Sequence, residues 1–349
     1  MATIYALTPE TMGLDKMDAF ARRVEGIGFD GLFVSDAQHD GLLLAGQALA
    51  ATSRLVVGTS VLVAFPRSPM NVALAAWDLQ SLSGGRFELG LGTQIRQNVE
   101  ERYSARWLPP ASGMREYVGS LRAIFHAFRT GEPLQFVGEH YRFTRLQPFF
   151  NPGPIDASDP PIMMGAVGPK MLAVVGECAD GLLAHPTSSS SRCLTETIRP
   201  NIEIGVSSCR SLPAPPLICV NELVATGHDD ATVASERARY RAMLAFVFST
   251  PAYRGSLDLF GWGSVGERMR VLAREERWDE MTDELPDEVL EEFLVSGRYD
   301  ELPSALAGRF AGLVDRISMP VPSDPSRDHC VAAILPAIRR AFDQAERNR

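Results

Sequence analysis

Long apolar runs, paired cysteines, paired histidines and an excess of positive charge are all missing from this chain. No uninterrupted apolar stretch approaches the roughly 18 to 20 residues that cross a bilayer, and the opening MATIYALTPE lacks the basic segment and apolar core of a secretory leader. A cytoplasmic protein without a membrane partner is the expectation. The five cysteines, Cys178, Cys193, Cys209, Cys219 and Cys330, form no C-x-x-C pair. An odd, scattered set suits reduced thiols packed as small hydrophobes better than a disulfide framework or a zinc site. Lys and Arg number 34 against 43 Asp and Glu, which argues against a nucleic-acid partner, since phosphate backbones are gripped by clustered cations. With no two histidines at ligand spacing, no metal is expected.

What the chain does contain is a rhythm. Short apolar runs alternate with longer segments of helical period. TIYALTP (3–9) precedes Leu14, Met17, Phe20, Val24 and Ile27, spaced by threes and fours on one helical face. GLFVSD (31–36), LVVGTSVLV (55–63), FELGLGTQ (87–94), PIMMGAV (161–167), DGLLAHP (180–186), LICVNELVATG (217–227) and LVDRISMP (313–320) repeat the pattern, each followed by a helix. Met114, Tyr117, Val118, Leu121, Ile124 and Phe128 form the apolar face of one such helix, and Val331, Ile334, Leu335, Ile338 and Phe342 that of the last. Eight strand–helix repeats without hairpin turns between them specify a parallel sheet closed into a (β/α)8 TIM barrel. Two segments break the rhythm and are expected as insertions after strands four and seven. Residues 131–160 are aromatic and proline-rich and read as a short hairpin; residues 249–300 are helical in period and read as strand-free. The whole chain, 1–349, is expected to form one barrel domain.

The rival architecture is an open, doubly wound sheet, and Gly90-Leu91-Gly92-Thr93-Gln94-Ile95 bears on it. A dinucleotide fingerprint needs G-x-G-x-x-G in the first strand–helix turn. Here the third glycine is missing and the pair sits in the fourth unit, so these glycines are expected to let a ligand or bulky neighbour approach a barrel strand. In a barrel, the carboxyl ends of the strands carry the site. That directs attention to Ser35, Asp36 and His39, to Ser60, Phe65 and Arg67, to Thr93 and Gln94, and to Asn221 and Glu222. His39 is the first candidate for acid or base, with Asp36 either orienting it or capping the next helix. His185, at an apolar strand end, reads as a structural histidine. In GAVGPKM (165–171), small residues lead to Pro169 at a helix start, where exposed N–H groups suit an anion; a plain tight turn is the alternative.

LVVGTSVLVAFPRSPMNVALAAWDLQSLSGGRFELGLGTQ resembles the core of the bacterial luciferase-like flavin and deazaflavin oxidoreductases. GRFELGLGTQ is similar to that superfamily's G-R-x-x-L-G-x-G strand, and MGAVGPKMLAVVGECADGLLAHP resembles its phosphate-binding unit. RWDEM (277–281) and GLVDRIS resemble a mycobacterial-type subfamily dependent on the deazaflavin coenzyme F420. The resemblance covers nearly all of the chain. It implies a cofactor ring across the carboxyl end of the barrel, backed by a bulge with a non-prolyl cis peptide at Ser60-Val61. It also implies that Gly165, Ala166, Val167 and Gly168 hold the cofactor phosphate through N–H groups, with Thr93 and Gln94 near the ring or its chain. Relatives that read S-D-H after strand two differ here, where Ala37 takes the third position and the histidine comes at His39.

The function implied is hydride transfer between coenzyme F420 and a small organic substrate. A monooxygenase using reduced FMN and O2, supplied by a separate reductase, is the nearest alternative; Phe65, Trp107, Phe149, Phe150 and Trp262 are candidates for the apolar walls it needs. A non-catalytic flavin-binding relative is a third reading. A barrel hydrolase or aldolase calls for a metal cluster or a strand-end lysine, and the sequence offers neither. Helix faces rich in Ala and Leu point to a homodimer.

Overall fold

The computed structural model describes residues 3–208 and 214–348; Cys209 lies outside them. Eight parallel strands form a closed ring: β1 (Thr3–Leu7), β2 (Gly31–Val34), β3 (Val56–Thr59, resuming as Leu62–Val63), β4 (Phe87–Gly92), β5 (Ile162–Ala166), β6 (Gly181–Ala184), β7 (Leu217–Val220) and β8 (Arg316–Met319). Each pairs with the next in chain order, and β8 returns to β1 through Thr3↔Arg316 to Ala6↔Met319. This is the (β/α)8 barrel expected from the eight repeats. The third strand is interrupted at Ser60-Val61, whose peptide is cis.

The strands are apolar on both faces because both are covered. Outward residues pack on the helix ring. The helix Leu14–Ile27 buries Met17, Ala21, Val24 and Ile27 and stops at Gly28, whose φ of 101° only glycine adopts readily; Leu14 stays 44% exposed, outside the buried stripe. Every apolar residue singled out on the helices Pro110–Thr130 and Asp328–Arg347 is buried. Inward residues Tyr5, Phe33, Met163, Leu183 and Cys219 fill the barrel. Beneath them Arg316 and Glu88 form a bidentate pair at 2.5 and 3.1 Å, with the guanidinium 4.1 Å from the centre of the Tyr5 ring. Two charges on inward strand positions satisfy one another, as a sealed interior requires.

The first interruption does contain a hairpin, Phe136–Val137 against Arg142–Phe143. The second is not strand-free. Val295–Arg298 pairs in parallel with Val224–Gly227, so the run read as a single seventh strand leaves the barrel after Val220 and enters a separate two-stranded sheet. The sequence hid this because VSGR has no alternation and its partner lies some seventy residues earlier. Around this sheet, Tyr240, Leu244, Phe248, Met269, Val289 and Phe293 belong to an apolar cluster distinct from the one between barrel and helices.

Among the described residues no helix is long and apolar enough to cross a membrane.

Candidate active site

A cleft of about 690 Å³ opens at the carboxyl ends of the strands. Its back wall is the break in β3. There the Val61 side chain lies over two glycines: a Cβ on Gly92 would fall 2.4 Å from Val61 Cγ2, and one on Gly165 3.2 Å from Cγ1. Deeper in the same strand, Thr59 grips Gly90 from both sides, its hydroxyl donating to Gly90 O at 2.8 Å and accepting from Gly90 N at 2.9 Å. The bulky neighbours that require small residues in β4 are therefore Thr59 and Val61 of the chain itself, and the glycines make no phosphate turn.

The bulge is braced by Asp36. Its carboxylate accepts from Val63 N at 2.9 Å and from Gly41 N at 3.0 Å, and it holds Arg67 bidentately at 2.8 and 3.1 Å. Arg67 reaches on to Asp40, the cap of the helix Gly41–Ala51. The Asp36 side chain is only 4% exposed, so removing it takes the bidentate partner from Arg67 and leaves two N–H groups without their acceptor. Asp36→Ala is expected to cost about 3 kcal/mol, the range for breaking a buried pair, measured by urea unfolding; a change under about 0.5 kcal/mol, typical of an exposed site, would contradict the brace.

This arrangement corrects the expected His39–Asp36 couple. Both Asp36 oxygens are spent on Arg67 and backbone N–H groups, and His39 is exposed, near Gly13 and absent from the cleft lining. The helix-capping alternative is closer to what Asp36 does, since it accepts from the first residue of that helix. Ser60, Val61, Thr93, Gln94, Gly165, Ala166, Val167 and Gly168, by contrast, all line the one cleft. Gln94 adopts a left-handed φ of 62°, turning the chain at the end of β4, and its Oε1 accepts from Ile95 N at 2.9 Å. Gly168 precedes the helix Pro169–Cys178 with no side-chain cap, so the first N–H groups of that helix have no side-chain partner and suit an anion. An added Cβ on Gly168 meets nothing within 4 Å. A flat heterocycle backed by Val61, with an anionic tail at this helix start, fits the residues present.

Of the aromatic residues proposed as walls, Trp107 lines the cleft and Phe65 packs edge-on behind it at 5.5 Å. Phe149 and Phe150 are 91% and 61% exposed, and Trp262 stacks on Phe260 within the second insertion. Sequence reasoning missed Tyr253, which the insertion carries onto the cleft to stack on His185, ring centres 4.3 Å apart. No local pattern marks such a residue; the contact depends on where the insertion folds back. Away from the cleft, Glu116, Glu139 and His140 come together, but the Glu116 oxygens accept from the N–H groups of Glu139, His140 and Tyr141, which makes Glu116 a brace for the hairpin.

Residues 3–316 match the family model described as luciferase-like monooxygenase. An uncharacterized protein of Mycobacterium tuberculosis is 42% identical over 318 residues, spanning 91% of this chain and 92% of that protein. The F420-dependent glucose-6-phosphate dehydrogenase of Nakamurella multipartita is 33% identical over 215 residues, 58% of this chain and 61% of its own length. Among solved structures, the coenzyme F420 dependent tetrahydromethanopterin reductase of Methanopyrus kandleri superimposes with a TM-score of 0.78 at 17% identity, over 98% of this chain and 99% of that one. The chain is an enzyme of the luciferase-like monooxygenase family.

Proposed function

We propose that this enzyme transfers a hydride between coenzyme F420 and a small organic substrate. The observation that carries the reading is a single cleft lined both by the broken third strand at Ser60-Val61 and by Gly168, which precedes the uncapped helix Pro169–Cys178. Relatives named for F420 support the choice of cofactor. The deazaflavin ring supplies the hydride chemistry when bound. The protein's part is to seat the ring against Val61, hold its anionic tail at Gly165, Ala166, Val167 and Gly168, and present the substrate from the side of His185, Asn221 and Tyr253.

The test is a fluorescence titration with F420 and with FMN, each oxidised and reduced. The expected outcome is binding of F420 with a Kd below about 1 µM, more than about 8 kcal/mol of affinity, and weaker binding of FMN. Preference for reduced FMN would transfer the reading to an O2-using monooxygenase, and binding of neither would end both.

Gly168 gives a second check. Its Cβ direction is open and its φ of -84° suits any residue, so Gly168→Trp is expected to leave the unfolding midpoint unchanged. Cofactor affinity should fall at least about tenfold, near 1.4 kcal/mol, because the indole would occupy the space of the anion. Unaltered affinity would remove the phosphate assignment.

A further inference from the structure

Next to the Gly165–Gly168 segment, the cleft lining holds an unused hydrogen-bond donor and an unused acceptor on adjacent strand ends. His185 and Asn221 directly follow β6 and β7, whose register pairs Ala184 with Val220, and Asn221 N donates to Ala184 O at 3.3 Å. Both therefore leave the barrel at one level, and both line the cleft. His185 Nδ1 accepts from the Thr187 backbone N–H at 3.3 Å and lies 2.8 Å from the Thr187 hydroxyl. A ring nitrogen that accepts carries no proton, so the neutral imidazole bears its hydrogen on Nε2. Burial pushes the His185 pKa down to about 4, so the neutral ring is the form present at neutral pH. Stacking on Tyr253 fixes the ring plane. Beside it Asn221 Nδ2 donates to Ser60 Oγ at 2.9 Å, while Asn221 Oδ1 is buried and has no partner. Nε2 of His185 likewise has no protein partner among the described residues.

We propose that His185 Nε2–H and Asn221 Oδ1 together seat one oxygen of the substrate, and that this oxygen is a hydroxyl or the carbonyl derived from it. The proposal rests on the cleft being the active site of the oxidoreductase described above and names its substrate class. An alcohol oxygen accepts from Nε2–H and donates to Oδ1 at once. A carbonyl keeps the first bond. A carboxylate would set a negative oxygen against Oδ1, and an ammonium group offers Nε2–H nothing to donate to; a buried group left unpaired in this way costs about 1–3 kcal/mol. The charged groups lining the cleft do not alter this choice: Asp36 is bound to Arg67 and Arg96 to Glu100, while Glu10 is on the exposed rim.

The test is NMR of 15N-histidine-labelled protein at neutral pH, with and without bound F420, titrated with 2-propanol and, separately, with isopropylammonium and isobutyrate. His185 is expected to be neutral and protonated on Nε2, and its Nε2 resonance to move saturably with 2-propanol but with neither charged probe. Asn221→Leu should weaken that response at least about tenfold, in the cofactor-free protein as in the F420-bound one. Asn221→Asp, nearly equal in size, should shift the preference to isopropylammonium. An Nδ1–H tautomer, a resonance unmoved by 2-propanol, or an equal response in Asn221→Leu would overturn the proposal. Failure of F420 and FMN to bind would instead remove the redox reading, and the titration of the cofactor-free protein would still decide the role of these two residues.

Discussion

Gly90→Ala is expected to destabilise the barrel by about 4 kcal/mol, at the exceptional end for a single added methyl. The Cβ would fall 1.8 Å from the Thr59 carbonyl oxygen, 2.7 Å from Leu183 Cδ1 and 3.0 Å from the Thr59 carbonyl carbon. Two of these atoms are backbone, and the backbone there has no freedom to retreat. Thr59 is tied to Gly90 by its own hydroxyl and to β2 through the Val34↔Thr59 pairing. Moving it would carry along the break at Ser60-Val61 and hence the wall of the cleft. Overpacking usually costs about 1–3 kcal/mol where neighbours can shift; here they cannot, and the loss takes a large share of the about 5–15 kcal/mol that separates a folded domain from its unfolded chain. Gly92→Ala provides the contrast. Its nearest neighbour is the tip of the Val61 side chain at 2.4 Å, so the strain can pass into the cleft. That variant should lose about 1–2 kcal/mol and most of its cofactor affinity. Urea unfolding of the two variants checks both, and a Gly90→Ala protein as stable as the parent would show that strands β3 and β4 are not in such close contact.

Much of this geometry could be read from the sequence, and the parts that could not share a cause. The eight strands were legible because each is a buried apolar run closed by polar or small residues, and the helices because Met114 to Phe128 and Val331 to Phe342 keep a strict period. Both signals are local. The strand Val295–Arg298 was not legible, because its four residues gain strand character only from a partner some seventy residues away. Direction was the second hidden quantity. His39 and His185 both follow strand ends, and nothing in SDAQHDG or LLAHPTS tells which imidazole faces the cleft. The fold leaves His39 exposed and out of the cleft lining, and brings Tyr253 from the second insertion to stack on His185. His185 was read as a satisfied structural histidine, which holds for one nitrogen of the two. Asp36 was tied to the nearest histidine in sequence, whereas its partner is Arg67, thirty-one residues on. Glu88 and Arg316 were within reach of sequence reasoning. Each stands on the opposite face of its strand from buried Phe87, Leu89 and Ile317, and two inward charges in a closed barrel must find one another.

Glu222→Gln should become progressively more stable than the parent as pH rises from about 4.5 to 7. Glu222 is 1% exposed, with one oxygen 3.2 Å from Arg309 Nη1 and the other without a partner. Burial is the main cause that pushes its carboxyl from 4.5 up to about 7, against the pull of Arg309. Over that range the folded protein keeps a proton that the unfolded chain has released. The stabilisation from Glu222 is thus complete below about 4.5 and lost as pH climbs through 7. His185 runs the other way. Burial takes it from 6.5 down to about 4, so the unfolded chain binds a proton that the folded protein refuses, and its contribution is present above about 6.5 and lost as pH falls toward 4. At about 1.4 kcal/mol per pH unit, either effect has a ceiling near 3 kcal/mol, and solvent at the cleft keeps the half-buried His185 below it. The two windows nearly coincide with opposite slopes, so in the parent they largely cancel. Substitution exposes each in turn: relative to the parent, Glu222→Gln gains stability as pH rises from 4.5 to 7, His185→Gln loses stability as pH rises from 4 to 6.5, and the double variant follows the parent's slope. Urea midpoints taken at half-unit steps from pH 4 to 7.5 measure all three differences, and a Glu222→Gln profile parallel to that of the parent would mean that the carboxyl is already ionised in the folded protein.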